Sequence, residues 1–410
     1  MILEVLPAKK GDCLMVHSET DDGPGLILID GGPAGVSSDS LLPRLEELRE
    51  ERDLGEGEPL VIDLVVVSHV DDDHINGIID LFEAIKERRD SRQPPLFQVN
   101  ELWHNSFDRI LGNDETGALL GNSAQFGAAS TGEMDSLVED AEEGPPTDHA
   151  KILASVKQGD DLKRLAADLN IPVNAQFGGK LIRTVPGDTV SRTVAGIELV
   201  VLGPRQPELV ELQEEFDSWL ERQPFAERTP ASLLASLSDE SAANLSSIVL
   251  LARKDGKTFL LTGDARSDKV LEGLNDCGLC GPGGTIEVDV LKMPHHGSIR
   301  NLDDDGDFLR RVTSPNYIFS GNGEHGNPDR ETFELLFKTR PGAAMNLYLT
   351  YTLVGIDPVR HKLYDKEREE KEPEDQTPEW SDEENGLAAI LKPAPPGATL
   401  IEHDGSKMEI

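Results

Sequence analysis

Basic residues are scarce in this chain. Its 410 residues include 39 lysines and arginines against 77 aspartates and glutamates, which gives a formal net charge of −38. Non-specific binding to a nucleic-acid backbone depends on clustered lysine and arginine, so this composition argues against it. It does not exclude an enzyme whose bound metal ions supply positive charge beside an anionic substrate. The hydrophobic share of 37% suits a globular protein with a large core.

Long apolar runs are absent as well. No stretch reaches the length of about 18 apolar residues that crosses a membrane. Residues 1–6 form a short strand pattern that Pro7 ends, unlike the apolar core of a secretion signal. We therefore expect a cytoplasmic protein that has no membrane partner.

Cysteine is rare, with three in the chain, which does not suggest a disulfide framework. Cys13 is expected in a buried strand, and a reducing cytoplasm fits this usage. Cys277 and Cys280 form a single CxxC in a glycine-rich loop. A zinc knuckle needs a second such pair, which the sequence lacks. The alternatives left open are a redox pair and a plain loop.

The strongest positive signal lies where a buried-strand pattern meets residue types that bind metals. Leu64 to Val67 is a continuous apolar run, extended upstream by Ile62, and is typical of a strand covered on both faces. Directly after it come the potential ligands His69, Asp71, Asp73 and His74. Neighbouring carboxylates repel one another unless a cation lies among them. Because imidazole and carboxylate bind divalent ions, the motif predicts a metal pair, the alternative being a solvated acidic loop.

Two further strand patterns end in residues of the same kind. Thr258 to Leu261 leads to Asp264, and Val288 to Met293 leads to His295 and His296. Folds of the α/β class place their chemistry at the ends of strands along one edge of a sheet. Three strand ends with metal-binding residues favour one shared site over coincidence.

These motifs together resemble a known family. The His69-x-Asp71-x-Asp73-His74 pattern is similar to the HxHxDH signature of the metallo-β-lactamase fold, with Asp71 in the place of the second histidine. With Gly263-Asp264 and the His295-His296-Gly297-Ser298 turn, the variant resembles the soluble domain of ComEC-type DNA-uptake proteins and their free-standing relatives. The segments that also fit the family are Gly11 to Leu14, Leu26 to Pro33, Leu202 to Pro204 and Asn244 to Ser247.

The resemblance implies an α/β fold, the αββα sandwich in which helices flank two packed β-sheets. We expect one metallo-β-lactamase-fold domain over residues 1–355, with an insertion at about 106–195. Within it, 106–146 is predicted to be a mobile loop and 149–169 a helix, and the insertion is expected to cover the site as a lid. Its low aromatic content offers no platform for base stacking.

Residues 356–410 are expected to form an acidic linker and closing strands. Asp365 to Glu384 contains eleven acidic and three basic residues, which predicts a solvated segment and a candidate contact for a protein partner. The closing strands are predicted at Leu387 to Leu391 and at Ala398 to Glu402.

The resemblance also implies how two divalent ions, Zn²⁺ or Mn²⁺, would be held. One ion would be bound by His69 and Asp71. The other would be bound by Asp73, His74 and one histidine of the His295–His296 pair, with Asp264 between the ions. His296 is preferred as the ligand, although the sequence leaves the order of the two histidines open. Asp71 in place of a histidine gives the first site a harder, oxygen ligand. Mn²⁺ prefers such ligands and is therefore an alternative to Zn²⁺.

Further roles follow from the resemblance. Asp30 is expected to orient the metal loop rather than to bind an ion. His104 ends a strand pattern where many relatives supply a third histidine ligand, the alternative being a packed or substrate-facing side chain. Asp73 and His325 are the expected catalytic residues. His325 lies two residues before Asn327, which occupies the family's histidine position, and would contact substrate or protonate a leaving group.

The activity implied is hydrolysis by water activated at two metals about 3.5–4 Å apart, most simply a phosphodiesterase or nuclease. The helix predicted over Asn76 to Arg88 directs its N-terminus at the site, which favours an anionic substrate such as a nucleic acid or nucleotide held through the metals. One alternative is hydrolysis of a carboxylic ester, thioester or lactam on the same metals. The other is a non-catalytic regulatory module that works with partner proteins through the acidic tail.

Overall fold

The structure is a computed structural model that describes residues 1–105, 148–207, 209–210, 246–372, 375–403 and 408–410, with side chains from 158 onward in the second range. The predicted mobile loop over 106–146 lies outside the described residues, as do Asn244 and Leu245. Within the described part of the chain, no helix is both long enough and apolar enough to cross a membrane.

Most of the strands belong to two sheets. The first sheet has the order β18-β1-β2-β3-β5-β7 and contains β1 (Ile2–Val5), β2 (Leu14–Thr20), β3 (Gly23–Ile29), β5 (Leu64–Val67), β7 (Leu102–His104) and β18 (Met408–Glu409). The second has the order β17-β16-β15-β13-β11-β10-β9-β8 and contains β8 (Val190–Val194), β9 (Ile197–Gly203), β10 (Val249–Lys254), β11 (Lys257–Leu261), β13 (Val290–Lys292), β15 (Asn316–Phe319), β16 (Met345–Leu349) and β17 (Ala398–Glu402). Two short pairs join β4 (Leu60–Ile62) to β6 (Phe97–Val99) and β12 (Ile286–Glu287) to β14 (Val312–Thr313).

The α-helices cover the outer faces of these sheets. They are α1 (Leu42–Glu51), α2 (Asp72–Asp90), α3 (Asp148–Asp168), α4 (Ser267–Asp276), α5 (Asp307–Arg311), α6 (Arg330–Thr339), α7 (Leu353–Glu369) and α8 (Ala388–Leu391). The predicted α/β class is therefore confirmed.

Three apolar cores define the layers. The central core joins the two sheets face to face, with Val66 and Trp103 from the first sheet beside Leu250 and Phe259 from the second. A second core packs α1, α2 and α3 on the first sheet. A third packs α4, α5, α6 and α7 on the second sheet. Residues along each central strand alternate between two buried faces, which is why these strands read as continuous apolar runs.

The carboxyl ends of the central strands meet between the two sheets. β5 runs parallel to β3 and β7, and β11, β13 and β15 are parallel to one another. The two sheets are in direct contact at this edge: the amide of Ile248, before β10, donates a hydrogen bond of 2.8 Å to the carbonyl of Ser68, after β5. The segments that follow β5, β11 and β13 therefore lie close together, as the three motifs at the strand ends predict.

Two predicted boundaries are wrong for identifiable reasons. Ile62 does not extend the strand of Leu64 to Val67, because Asp63 turns the chain and bonds the backbone of Leu26 through both its amide and its side chain. The helix expected over Asn76 to Arg88 begins four residues earlier, at Asp72. Carboxylates in a first helical turn are stabilised by the helix dipole, so the metal motif can itself open the helix.

The acidic tail also differs from expectation. The first part of 365–384 is the end of α7, and the described part of the remainder folds back on that helix, where Trp380 stacks on His361 with ring centroids 4.8 Å apart. Leu387 to Leu391 is not a strand, since it contains α8. Asp357 accepts hydrogen bonds from the amides of Leu387 and Ala388 and so caps that helix.

Candidate metal centre

Asp264 is the middle of a buried cluster of histidines. It follows β11, is 2% exposed, and its Oδ2 atom lies 3.3 to 3.7 Å from the Nε2 atoms of four imidazoles. Those imidazoles belong to His69, His74, His295 and His296. All four were predicted as ligands from two separate stretches of sequence, and the fold brings them together around Asp264, the predicted bridging carboxylate from a third stretch.

A different outer group holds the Nδ1 atom of each ring. Asp30 Oδ2 lies 2.8 Å from His74 Nδ1, and Asn301 Oδ1 lies 2.8 Å from His295 Nδ1. Ser68 Oγ is 3.0 Å from His69 Nδ1 and donates its own proton to Asp30, so it accepts from the ring. In the same way Ser320 Oγ donates to Asp12 and accepts from His296 Nδ1 at 3.1 Å.

This network determines which nitrogen of each of the four rings is available to bind a cation. Because every Nδ1 is the donor to an outer group, each Nε2 is the atom left to take a proton or bind a cation. The Nε2 atoms of His69, His74 and His296 make no hydrogen bond within the described residues. Metal-binding histidines characteristically give their second nitrogen to such an outer partner, so the pattern fits metal binding.

The spacing of the inner atoms also fits. Tetrahedral sites with metal–nitrogen bonds of about 2.0–2.1 Å place neighbouring ligand atoms about 3.3 Å apart. The separations of 3.3 to 3.7 Å between Asp264 Oδ2 and the imidazoles are close to that value. The spacing of the cluster is therefore compatible with bound metal ions.

The remaining predicted ligands lie beside the same atoms. Asp71 Oδ2 is 3.5 Å from His69 Nε2. Asp73 lies 3.9 Å from His74 Nε2 and 4.0 Å from His296 Nε2. Two overlapping groups with atoms close enough to share an ion are Asp12, His74, Asp264 and His296, and His69, Asp73 and His74.

Close backbone packing sets the start of α2 against the end of β3. The Gly31 amide donates to the His74 carbonyl at 2.8 Å, and the Gly77 amide donates to the Gly32 carbonyl at 3.0 Å. A Cβ atom on Gly77 would lie 1.9 Å from the Gly31 carbonyl oxygen, so a side chain cannot be placed there. Glycine at this position lets His74 reach Asp264.

The turn that carries the two later histidines has an unusual backbone. His295 and His296 have φ values of 46° and 57°, a left-handed conformation that non-glycine residues seldom adopt. Such strain costs about 1–3 kcal/mol per residue and persists where the surroundings enforce it, commonly at functional sites. Here it aims both rings at Asp264, His296 from a buried position and His295 from one about a third exposed.

The charges of the cluster stabilise one another. Burial lowers the pKa of His74, but Asp264 and Asp30 outweigh it and raise the pKa well above 6.5. For His296, burial and Lys292 lower the pKa while Asp264 and Asp12 raise it, to about 9. Burial raises the pKa of Asp264, yet the neighbouring histidines hold it well below 3.8. The cluster therefore attracts positive charge, for which protons and metal ions compete.

Two residues of the cluster were missed from the sequence. Asp12 and Lys292 are buried beside His296 and Asp264, with Lys292 Nζ 2.5 Å from Asp12 Oδ2. A charged residue within the apolar run of β13 was a usable signal, since a buried lysine needs an acidic partner. The partner itself lies 280 positions away in the chain and could not be identified by spacing.

Other predicted residues lie outside these groups. His104 is buried at the end of β7, where its residue pairs with Val67, but it is not in either group. His325 is exposed, with a φ of 58°, in a turn whose Gly326 carbonyl accepts a hydrogen bond from Arg360. Asp30 orients His74, as expected of it. Cys277 and Cys280 are buried, form no disulfide and belong to neither group.

Comparisons with known proteins assign this chain to no family. No protein-family model matches the chain, and no curated protein matches it. Among solved structures, one similar chain is a mutant of the CmlA beta-hydroxylase, with 13% sequence identity and a TM-score of 0.32. The match covers 100% of this chain and 53% of that chain, so the protein spans about half the length of the structure it resembles.

Proposed function

We propose that this chain is a metal-dependent hydrolase of the metallo-β-lactamase fold that cleaves phosphodiesters, as a phosphodiesterase or nuclease, at two divalent ions. The observation that carries the proposal is the convergence of four imidazole Nε2 atoms on one carboxylate oxygen of Asp264. In this proposal residues 1–355 form the metallo-β-lactamase-fold domain, with the insertion at about 106–195, and residues 356–410 supply the acidic linker and the closing strands of the two sheets.

The proposal divides its ligands between the two ions. His69 and Asp71 would hold the first ion, and Asp73, His74 and His296 the second, with Asp264 shared. His295 lies within 3.6 Å of Asp264 on the exposed side and is the alternative to His296. When bound, two such ions supply a water of lowered pKa and positive charge for the attacked group.

Other residues of the chain orient the ligands and limit the access of water. Asp30, Ser68, Asn301 and Ser320 hold the rings in orientations that keep each Nε2 directed inward. The two sheets exclude water from the back of the cluster, because His69, His74 and His296 are at most 2% exposed. His295 and Asp71 are more accessible, so substrate would approach from their side.

The rim of the cluster supports an anionic substrate. In a chain with a net charge of −38, Lys10 lies next to the centre, with Nζ 3.4 Å from Asp72 Oδ2. It precedes Gly11, whose Cβ position is filled by the Asp73 carbonyl, so the lysine is fixed close to the proposed ligands. The N-terminus of α2 adds partial positive charge. A phosphodiester carries the negative charge that these groups favour, whereas a neutral carboxylic ester does not.

The deciding experiment joins metal content to substrate choice. We would measure Zn and Mn by elemental mass spectrometry, and hydrolysis of bis-nitrophenyl phosphate, nitrophenyl acetate, DNA and RNA with each metal added. Natural protein is compared with Asp73→Ala and with Asp80→Asn, a control about two turns further along α2. We expect about two ions per chain and phosphodiester cleavage that Asp73→Ala abolishes and Asp80→Asn retains.

Each other outcome has a meaning. A protein that takes up no metal and stays inert with every metal added would overturn the proposal and leave the non-catalytic module. Two bound ions with cleavage of the acetate ester alone would keep the metal centre and overturn the phosphodiester assignment.

A further inference from the structure

Lys292 is a charged residue in the interior of the molecule. It ends β13 on the same face as Val290, which packs in the core between the sheets, and its side chain is 0% exposed. Its ammonium group lies 2.5 Å from Asp12 Oδ2, 3.3 Å from the Gly263 carbonyl and 3.8 Å from Asp264 Oδ1. A lysine is buried this deeply only when carboxylates and carbonyls replace its water.

Asp12 is enclosed to the same degree, and both of its carboxylate oxygens have partners. Oδ2 contacts Lys292, while Oδ1 accepts from Ser320 Oγ and lies 3.4 Å from His296 Nδ1. Burial by itself raises the pKa of this carboxyl group, but Lys292 and His296 hold it well below its usual range. Asp12 is therefore an anion whose charge is already matched inside the protein.

The orientation of His296 separates Asp12 from the proposed ligands. The ring presents Nε2 to Asp264 and Asp73, and Nδ1 to Asp12 and Ser320. Asp12 thus stands behind the ring, although its atoms lie near those of His74, Asp264 and His296. A carboxylate that approaches a histidine from its second nitrogen orients the ring and raises its basicity.

We infer that Asp12 and Lys292 form a neutral buried pair that positions His296 for the second ion, with Asp12 a positioning residue and not a metal ligand. The inference rests on the proposed metal centre and adds how one of its ligands is held. Lys292 has a specific consequence here, because its ammonium group also lies near Asp264. If Asp12 did not neutralise it, that charge would repel a divalent ion from the shared carboxylate.

The charge argument gives a test that a purely structural role would fail. Asp12→Asn keeps the shape but leaves the ammonium group unmatched, so the affinity for the second Zn²⁺ should fall about 10- to 100-fold. Asp12→Asn combined with Lys292→Met removes both charges and should restore that affinity to within about threefold of the natural protein. The readouts are the zinc dissociation constants from chelator competition and the absorption spectrum of the Co²⁺-substituted protein, with folding followed by circular dichroism.

The matched control is Glu4→Gln, which breaks another buried carboxylate–cation pair, to Arg44, away from the cluster. It should leave both zinc constants and the Co²⁺ spectrum unchanged. If Asp12→Asn does not fold, the double variant decides alone, since an Asp12 that binds metal could not be replaced there without weakening the second site.

The outcomes separate this inference from the proposed function. Natural protein that binds no zinc would remove the metal centre and this inference with it. Natural protein that binds two ions, beside a double variant with an altered Co²⁺ spectrum, would keep the centre and make Asp12 a ligand. A double variant as weak as Asp12→Asn with an unchanged spectrum would keep the centre and overturn the neutralisation of Lys292 as the role of Asp12. Asp12→Asn with unchanged affinity would show that Lys292 does not act on the ions.

Discussion

The Glu4 group and the Asp264 cluster, both buried sets of acidic and basic side chains in the described part of the chain, behave in opposite ways. In the first sheet, Glu4 accepts from Arg44 Nε at 2.6 Å and contacts His17 Nε2 at 2.8 Å, and Arg44 also pairs with Glu51 at 2.7 Å. In the Asp264 cluster, four imidazole Nε2 atoms point at one carboxylate oxygen, and three of them make no hydrogen bond within the described residues. The first group supplies its own cation, whereas the second is arranged to receive one.

The difference shows what distinguishes a structural group from a site. A buried carboxylate beside a guanidinium is satisfied by the chain alone and lends rigidity. Histidines that are each fixed through Nδ1 and left open at Nε2 are preorganised for a partner from outside. The predictions below test this contrast, beginning with the change expected to have the largest effect.

Replacing Asp264 by asparagine should have the largest effect on metal binding and activity. The variant keeps the shape but removes the shared anion, so metal content should fall from about two ions to at most one per chain. Hydrolysis should fall about 10³-fold or more, since metal charge stabilisation is worth several kcal/mol. Elemental mass spectrometry and assays with bis-nitrophenyl phosphate measure both. A variant that retains two ions would show that Asp264 is not shared.

Replacing Glu4 by glutamine should give the reverse pattern. Arg44 would lose its buried partner and keep Glu47 and Glu51, so the free energy of unfolding should fall by about 3 kcal/mol, at the lower end for a broken buried pair. Metal content and catalytic rate of the folded protein should not change. Urea denaturation monitored by circular dichroism gives the first quantity. A loss of bound metal in this variant would break the distinction between the two groups.

Sequence patterns predicted the architecture well where burial decided it. The apolar runs of β5, β11 and β13 predicted strands, because a sheet covered on both faces needs such runs. Prediction failed where distant residues decide the structure. Leu387 to Leu391 is a short apolar run, which periodicity alone does not assign to a strand or a helix, and the carboxylate that caps its helix comes from Asp357 on another helix. Ile62 was joined to the next strand because the turn depends on a contact between Asp63 and Leu26.

The site was predictable to a similar extent and for similar reasons. His69, His74 and Asp264 could be proposed as ligands because each follows a strand in a short motif of metal-binding residue types. Asp12 could not, since its role depends on Lys292 and Ser320, which are brought to it by the packing of the two sheets. Residues that bind share local patterns, while residues that position them are assembled by the fold.

The pH dependence should differ in sign between the metal-free and metal-loaded protein. In the metal-free form neighbouring carboxylates raise the pKa of His74 and raise that of His296 to about 9. The contribution of each to stability is therefore full below pH 6.5, and that of His296 is lost as the pH rises through about 9. Metal binding must displace those protons. Over the same pH range, the zinc affinity should therefore rise about tenfold for each unit increase in pH and for each imidazolium that loses its proton.

Thermal melts of chelator-treated and zinc-loaded protein between pH 6.5 and 9 test this. The metal-free melting temperature should fall with pH, while the gain in melting temperature from zinc should grow. Zinc affinity that does not depend on pH would mean that protons and ions do not compete for the same nitrogens. The Glu4 group provides the internal contrast, because the pKa of Glu4 is lowered and that carboxylate stays ionised throughout this range.

The smallest effect on the molecule itself is expected from His325→Gln. This side chain is exposed and belongs to neither group of candidate ligands, so metal content and stability should not change. If the imidazole protonates a leaving group, the loss should depend on the substrate, because nitrophenolate leaves readily without a proton whereas a sugar hydroxyl does not. We expect cleavage of DNA to fall about 10²-fold, with little change for bis-nitrophenyl phosphate. Equal losses on both substrates would assign His325 to substrate contact instead, and no loss on either would remove it from the catalytic residues, leaving the chemistry to the Asp264 cluster alone.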